Sequence, residues 1–146
     1  MTQEHFYDVS VKWTKDREGT MTSEVLENEI EVDTPPQFAN GIEGIWSPEH
    51  LFVAAINSCL MTTFLAIAEN SKLAFKTFDS KAVGKLELVE DKYLMSEVVL
   101  SPVVVIPNES DKEKAMRLLQ KSEAACLISN SVKSKVTLQA TVKIEA

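Results

Sequence analysis

Between His50 and Ala68 the sequence contains no aspartate, glutamate, lysine or arginine, although charged residues make up 25% of the chain. Ser47 and Pro48 stand directly before this stretch. A capping serine followed by proline is a helix start signal, because the missing N–H of proline costs nothing in the first turn. Apolar residues cover nearly every face of the resulting helix, which predicts a helix that is buried on all sides. Cys59 lies near its middle, so we expect a central helix that carries a thiol.

A membrane span is one alternative for this stretch, which approaches the length that a bilayer requires. Polar residues within the stretch and the amphipathic strands that follow it argue against a span. These polar residues are His50, Asn57, Ser58, Thr62 and Thr63. We therefore expect no membrane segment. Free cysteine is among the most buried residue types, so a small core residue is the alternative interpretation of Cys59.

The length and composition of the chain favour one compact domain over residues 1–146. The 146 residues are 45% hydrophobic, which allows a sizeable core. The formal net charge of −7 and the pI of about 4.9 argue against a nucleic-acid partner. Residues 1–8 lack the apolar core of a secretory signal, so we expect a cytoplasmic protein. In a reducing compartment two cysteines are free or catalytic rather than a structural disulfide.

Alternation of apolar and polar residues predicts the strands, and a polar turn at Lys15–Gly19 joins the first two. The predicted strands are Tyr7–Thr14, Thr20–Asn28, Glu29–Asp33, Thr77–Glu90, Tyr93–Ile106 and Lys135–Glu145. Pro102 interrupts the fifth of them, which favours an edge strand, a bulge or two shorter strands.

A second helix is predicted after Ser110, which forms a capping box with Glu113. This helix runs from Asp111 to about Ala125 and is amphipathic, and Leu127–Lys133 is a candidate for a further short turn. Asn70 is the expected C-terminal cap of the first helix.

The predicted order is strands, buried helix, hairpin, amphipathic helix and strand. This order indicates an α+β fold in which an antiparallel sheet is packed with the central helix and the second helix, and not a repeated βαβ fold. A helix that is apolar on every face needs more packing partners to bury its surface than one sheet and one further helix provide. We therefore expect an intimate homodimer in which two central helices pack together.

Cys59 and Cys126 are 67 residues apart and form no C-x-x-C motif. Each follows an alanine and has small hydroxyl or amide residues nearby, which allow close helix approach. No pair among these cysteines, His5 and His50 has the spacing of metal ligands, so we expect neither a metal nor another cofactor. A nucleophile pair of His50 and Cys59 is disfavoured, because nine residues of helix rise by about 13.5 Å.

Two sequence contexts resemble the OsmC/Ohr family of thiol peroxidases. The first is Pro48-Glu49-x-Leu51 followed by Ala54-Ala55 and Cys59, and the second is Cys126 followed by Ser129-Asn130 and a last strand. The resemblance covers essentially the whole chain. It implies an OsmC-like fold, an intertwined α+β homodimer, with the active sites at the subunit boundary. Leu127 departs from the pattern, since many relatives have proline directly after the second cysteine.

The resemblance implies that Cys59 is the peroxidatic cysteine and Cys126 the resolving cysteine. It also implies roles for Arg17, in the turn after the first strand, and for Glu49. The reacting form of the cysteine is the thiolate, and desolvation would raise the pKa of a cysteine in the middle of a helix. Arg17 would supply the positive charge that stabilises the thiolate, and Glu49 would hold the Arg17 guanidinium in place. Glu49 and Cys59 lie about 15 Å apart on a straight helix. Glu49 should therefore serve the thiol of the other chain, unless the helix bends sharply.

The family resemblance implies an organic hydroperoxide as substrate and a thiol reductant as partner. The reductant could be a lipoyl protein, a small dithiol or thioredoxin. We expect an apolar lining from Leu51, Phe52, Ile56, Met61 and Phe64, which suits an alkyl hydroperoxide better than hydrogen peroxide. The alternative function is that of a non-catalytic protein of the same fold, which binds a small apolar ligand at the dimer interface.

Overall fold

The structure is a computed structural model that describes residues 3–146. The chain falls into two compact units, a first unit that ends at Leu51 and a second unit over Phe52–Ala146. A single domain over residues 1–146 stays a prediction.

The first unit contains a three-stranded antiparallel sheet. Its strands are β1 (Ser10–Lys15), β2 (Glu18–Ser23) and β3 (Leu26–Val32), in the order β1-β2-β3. The prediction of one strand over Thr20–Asn28 is wrong, because the chain turns at residues 24–25. The Ser23 hydroxyl accepts a hydrogen bond from the amide of Val25 at 3.5 Å, a local bond by which serine favours a turn over a continued strand.

The second unit contains a sheet of two long and two short strands. β4 (Thr77–Val89) and β5 (Lys92–Ile106) pair antiparallel, whereas β6 (Lys135–Leu138) and β7 (Thr141–Ile144) both pair parallel with β5. The α+β prediction is confirmed, but the sheet is mixed and not purely antiparallel. The predicted last strand, Lys135–Glu145, is two strands.

Pro102 lies in the middle of an unbroken central strand, so the three alternatives offered for this proline are all wrong. Leu100 and Ile106 direct their carbonyl groups towards β6 and β7, where they accept from Gln139 and Glu145. Backbone groups two residues apart in a strand point to the same side, so the nitrogen of Pro102 also faces that side. It lies opposite the break between β6 and β7, where the missing N–H leaves no partner unsatisfied.

Helix α1 spans Pro48–Asn70. The predicted start is confirmed, since the Ser47 hydroxyl accepts a hydrogen bond from the amide of His50 at 3.1 Å. At the other end the expected cap at Asn70 is wrong. Lys72 adopts a left-handed conformation (φ 55°), and the amides of Lys72 and Leu73 bond to the carbonyls of Glu69 and Ala68. This pair of bonds is a Schellman motif with Ser71 as the C-cap.

One face of α1 is buried within the chain, not every face. The buried residues follow a four-residue spacing and contact the sheet and the second helix: Ile56, Leu60, Phe64 and Ala68. Met61 and Leu65, on another face, are each 39% exposed.

By length and composition α1 is the one helix within residues 3–146 that could cross a membrane, with a mean hydropathy of 2.0, but the core helix of a soluble protein satisfies the same criteria.

Helix α2 spans Lys112–Ala125 and buries an apolar stripe against the same core, as predicted. The predicted capping box is wrong, because a turn of 3₁₀ helix at Glu109–Asp111 includes Ser110 and makes Asp111 the N-cap. The ammonium group of Lys114 donates to the carbonyl of Ser71 at 2.6 Å and so ties α2 to the end of α1. Helix α3, Leu127–Asn130, is the predicted short turn.

Two contacts fix α1 against β4. Asn57 donates to the carbonyl of Ser80 at 2.9 Å, and its amide oxygen accepts from the Ser80 hydroxyl at 2.7 Å. Gly84 provides the second contact, because a Cβ atom there would overlap Val53 Cγ2 and Met95 Cε. The missing side chain lets the helix approach the strand closely.

The substitution Gly84→Ala should therefore lower the free energy of unfolding by about 1–3 kcal/mol, the usual range for overpacking. Guanidinium denaturation measures it. In the Val53→Ala background the added methyl group finds space, so the double variant should lose less stability than the sum of the two single variants. Additive losses would contradict the close approach.

Candidate active site

Cys126 lies in a one-residue break between two helices. Its backbone is extended (φ −64°, ψ 113°), which ends α2 at Ala125, and α3 begins at the next residue. The side chain is fully buried. This break places the thiol against the middle of α1, where it shares a hydrogen bond with the half-buried thiol of Cys59. Both cysteines are free.

Several groups direct hydrogen bonds to the Cys59 sulfur. Burial raises the pKa of Cys59, but hydrogen bonds outweigh it and bring that pKa below its ordinary value. The donors are the Cys126 thiol, the amide of Ile128, the hydroxyl of Thr63 (3.8 Å from the sulfur) and the amide of Leu127.

The pKa of Cys126 moves in the opposite direction. Burial raises it, and the hydrogen bond that it donates to Cys59 raises it further, because that bond is lost when Cys126 gives up its proton. The hydroxyl and amide of Ser129 lie near the Cys126 sulfur and favour the thiolate, but they do not reverse the shift of its pKa. The Ser129 hydroxyl is buried, and its geometry is too poor for a well-formed hydrogen bond to any residue from 3 to 146. The two thiols therefore differ: the pKa of Cys59 lies below the ordinary value of a thiol, and that of Cys126 lies above it.

Arg17 and Glu49, the other two predicted site residues, lie in the first unit. Arg17 is exposed in the turn between β1 and β2 and lines a cavity of about 450 Å³ with Asp16, Asn40, Gly41 and Ile42. Glu49 is half-buried in the first turn of α1. Within residues 3–146 neither side chain forms an ion pair. Their action on the Cys59 thiol stays a prediction.

The predicted apolar lining needs correction. Ile56 and Phe64 are fully buried in the core of the second unit, because they lie on the face of α1 that packs against the sheet. Met61 is exposed, and Phe52 is half-buried beside the core. His50 contributes to the helix start, since its Nδ1 lies 2.7 Å from the Ser47 hydroxyl.

Sequence reasoning identified Cys126 through the family resemblance but none of the other groups that surround the Cys59 sulfur. Thr63 carries a signal that could have been used, because it lies four residues after Cys59 and so on the same face of the helix. The amides of Leu127 and Ile128 carry no signal, since every residue except proline has an N–H group.

Comparison with known proteins agrees with this fold. The family described as OsmC-like protein matches residues 40–141, more than half of the chain. The uncharacterized protein YmaD of Bacillus subtilis is 24% identical over 149 residues, which cover 99% of this chain and 98% of YmaD.

Two solved structures resemble the chain. An OsmC-like protein of unknown function from Vibrio cholerae has a TM-score of 0.85 and 25% identity, and the match covers 94% of this chain and 99% of that one. An organic hydroperoxide resistance protein from Elizabethkingia anophelis has a TM-score of 0.77 and 22% identity, with 99% and 100% covered. The second likeness shows the fold alone.

The opposite pKa shifts of the two thiols predict an order of alkylation by iodoacetamide. A lowered pKa exposes thiolate at lower pH, so Cys59 should react first as the pH rises, and the buried Cys126 should react last. Peptide mass spectrometry after timed quenching separates the two sites. In guanidinium, which removes the folded environment, both should react alike. A folded protein in which Cys126 reacts first or equally fast would contradict the assignment.

Proposed function

Because the chain belongs to the OsmC-like protein family, we propose that it is a thiol-dependent peroxidase that reduces organic hydroperoxides, with Cys59 as the peroxidatic cysteine and Cys126 as the resolving cysteine. The observation that carries the proposal is the hydrogen bond between these two thiols, in which Cys59 is the one with the lowered pKa. The name of the Elizabethkingia anophelis relative, an organic hydroperoxide resistance protein, supports the same substrate class.

In the first step the Cys59 thiolate attacks the terminal oxygen of the hydroperoxide. A sulfur–oxygen bond forms and the oxygen–oxygen bond breaks, so the peroxide is reduced by two electrons and leaves as an alkoxide, which takes a proton to become the alcohol. Cys59 is oxidised to a sulfenic acid. The pKa of Cys126 lies above its ordinary value, which favours the protonated form of its thiol. Cys126 is therefore suited to donate that proton to the leaving oxygen.

In the second step Cys126 attacks the sulfur of the sulfenic acid. Cys126 reacts as the thiolate that it became in the first step, so a sulfur–sulfur bond forms and the sulfur–oxygen bond breaks. The hydroxide that leaves takes a proton from solvent to become water, and the disulfide protects Cys59 from irreversible oxidation. The contact between the two sulfurs in the reduced state favours this step, because little chain movement is needed to close the bond. A dithiol reductant, either a lipoyl protein, a small dithiol or thioredoxin, then restores both thiols by exchange.

Arg17 and Glu49 complete the proposed site. Arg17 has a permanent positive charge that can stabilise the thiolate, and Glu49 can orient its guanidinium. α1 is a single helix from Pro48 to Asn70, and the rise predicted for a straight helix favours a Glu49 supplied by a second copy of the chain.

The proposal also includes a cytoplasmic location, since two free thiols suit a reducing compartment.

A catalysed loss of organic hydroperoxide tests the function directly. With cumene hydroperoxide, and lipoamide, dithiothreitol and thioredoxin as separate reductants, the protein should consume peroxide over many turnovers with at least one of them. Cys59→Ser should abolish consumption. The matched control is Ser58→Ala, which alters an exposed neighbour and should keep the full rate. Equal peroxide loss in Cys59→Ser and the unaltered protein, or none in either, would contradict the proposal and favour an apolar-ligand binder.

A homodimer is the second part of the proposal, and the first unit contains an apolar surface that a second copy could cover. Val11, Met21 and Ile30 lie side by side across β1, β2 and β3, and Val11 is 67% exposed. Met61 and Leu65 add exposed apolar area on α1. Burial of such side chains is the main driving force of association.

Sedimentation velocity should give twice the chain mass of 16.2 kDa. Val11→Asp places a charge on the apolar face of β1 and should weaken the dimer about tenfold or more, because it replaces apolar burial with a buried charge. Lys12→Asp, on the opposite face of the same strand, is the matched control and should leave the dimer intact. A monomeric unaltered protein, or equal effects of the two variants, would contradict this part of the proposal.

A further inference from the structure

The interface between helix α1 and strand β4 combines apolar side chains with a polar pair. Phe78 and Ala82 of β4 pack against a core cluster that includes Leu60 of α1. Ser80 lies between them on the same face of the strand, because side chains two residues apart share a face. Ser80 meets Asn57 of α1 there, so polar groups face each other among apolar neighbours.

Two hydrogen bonds join the polar pair. The Asn57 side-chain amide donates to the Ser80 carbonyl at 2.9 Å, and the Ser80 hydroxyl donates to the Asn57 amide oxygen at 2.7 Å. Apolar burial is non-directional, whereas a hydrogen bond needs a defined geometry. The pair therefore restricts the rotation of α1 about its own axis more tightly than the apolar contacts around it do.

Gly84 constrains a different motion of the same helix. A Cβ atom at Gly84 would overlap Val53, which lies four residues before Asn57 and so on the same face of α1. This close approach sets the distance between helix and strand. The asparagine, a poor helix former, is the residue that fixes the rotation.

The rotation of α1 decides where Cys59 points. Residues two apart in a helix lie about 200° apart around its axis, so Cys59 lies nearly opposite Asn57. Cys126 approaches α1 from the break between α2 and α3, and Ile128 of α3 packs against the same core cluster as Leu60. Cys126 is fully buried, and close packing leaves its thiol little freedom to follow a Cys59 that moves.

We propose that Asn57 and Ser80 are positioning residues for the two thiols, because their hydrogen bonds hold α1 in the rotation at which the Cys59 sulfur meets the Cys126 sulfur. The inference rests on the proposed function, since it concerns closure of the same disulfide. Both residues act through the helix and not on the reacting atoms. Without the pair, α1 would adopt rotations in which the sulfurs are apart, and the disulfide would be less stable relative to the two thiols.

The measurement is the reduction potential of the Cys59–Cys126 disulfide in mixtures of reduced and oxidised dithiothreitol, without peroxide. Oxidised dithiothreitol accepts the two electrons and two protons that the thiols lose as the sulfur–sulfur bond forms. Alkylation and mass spectrometry count the free thiols. Ser80→Ala removes one hydrogen bond and should lower the equilibrium constant for disulfide formation about threefold to tenfold.

Ser96→Ala is the matched control. The Ser96 hydroxyl also donates to a side chain, that of Glu87, but it does so within the β4–β5 hairpin. This variant should therefore keep the equilibrium constant of the unaltered protein.

An apolar replacement of the pair separates positioning from stability. Asn57→Leu combined with Ser80→Ala removes both polar partners, and such a replacement is nearly neutral for folding or stabilising. The double variant should keep the guanidinium midpoint of the unaltered protein or exceed it, and still show the lowered equilibrium constant. An unchanged constant in the folded Ser80→Ala and double variants, an equal fall in Ser96→Ala, or an unaltered protein that forms no disulfide in oxidised dithiothreitol would overturn the proposal.

The potential is measured without turnover, so the two proposals fail separately. A protein that shows these shifts but consumes no cumene hydroperoxide refutes the proposed function and leaves the positioning role of Asn57 and Ser80 standing. A protein that consumes the peroxide while the variants keep its potential refutes the positioning role alone.

Discussion

One hydrogen bond, from the thiol of Cys126 to the sulfur of Cys59, underlies the proposed chemistry. A single proton between two sulfur atoms makes otherwise similar groups unequal, because the acceptor is stabilised as a thiolate and the donor is held as a thiol. Nucleophile and proton donor thereby arise from the same residue type. The same closeness lets the second sulfur capture the first once it is oxidised.

The fold produces this contact with few specialised features. Ser80 and Gly84 fix α1 against β4, and the buried stripe on α1 sets which face is turned away from the sheet. The extended backbone of Cys126 then ends α2 beside the middle of α1. A longer α2 would continue past this point and carry the Cys126 side chain in a different direction, so the one-residue break between helices is as important as the cysteine itself.

Local signals in the sequence predicted some structures, such as the start of α1, but not the Asn70 cap or the Ser110 capping box, and tertiary pairings were beyond them. Ser47 and Pro48 mark the start of α1 because the cap involves only neighbouring residues. Pro102 was misread, since its tolerance depends on the break between β6 and β7, far along the chain. Cys59 and Cys126 were paired through family resemblance, because a separation of 67 residues constrains no distance. The amides beside them could be recognised only in three dimensions.

The most direct measurement is the intact mass and disulfide map of the protein after one equivalent of cumene hydroperoxide, without added reductant. We predict that both free thiols disappear, that the chain loses the mass of two hydrogen atoms, and that digestion yields a peptide linked through Cys59 and Cys126. Two thiols that remain free, or an oxidised Cys59 beside an unreacted Cys126, would contradict the account.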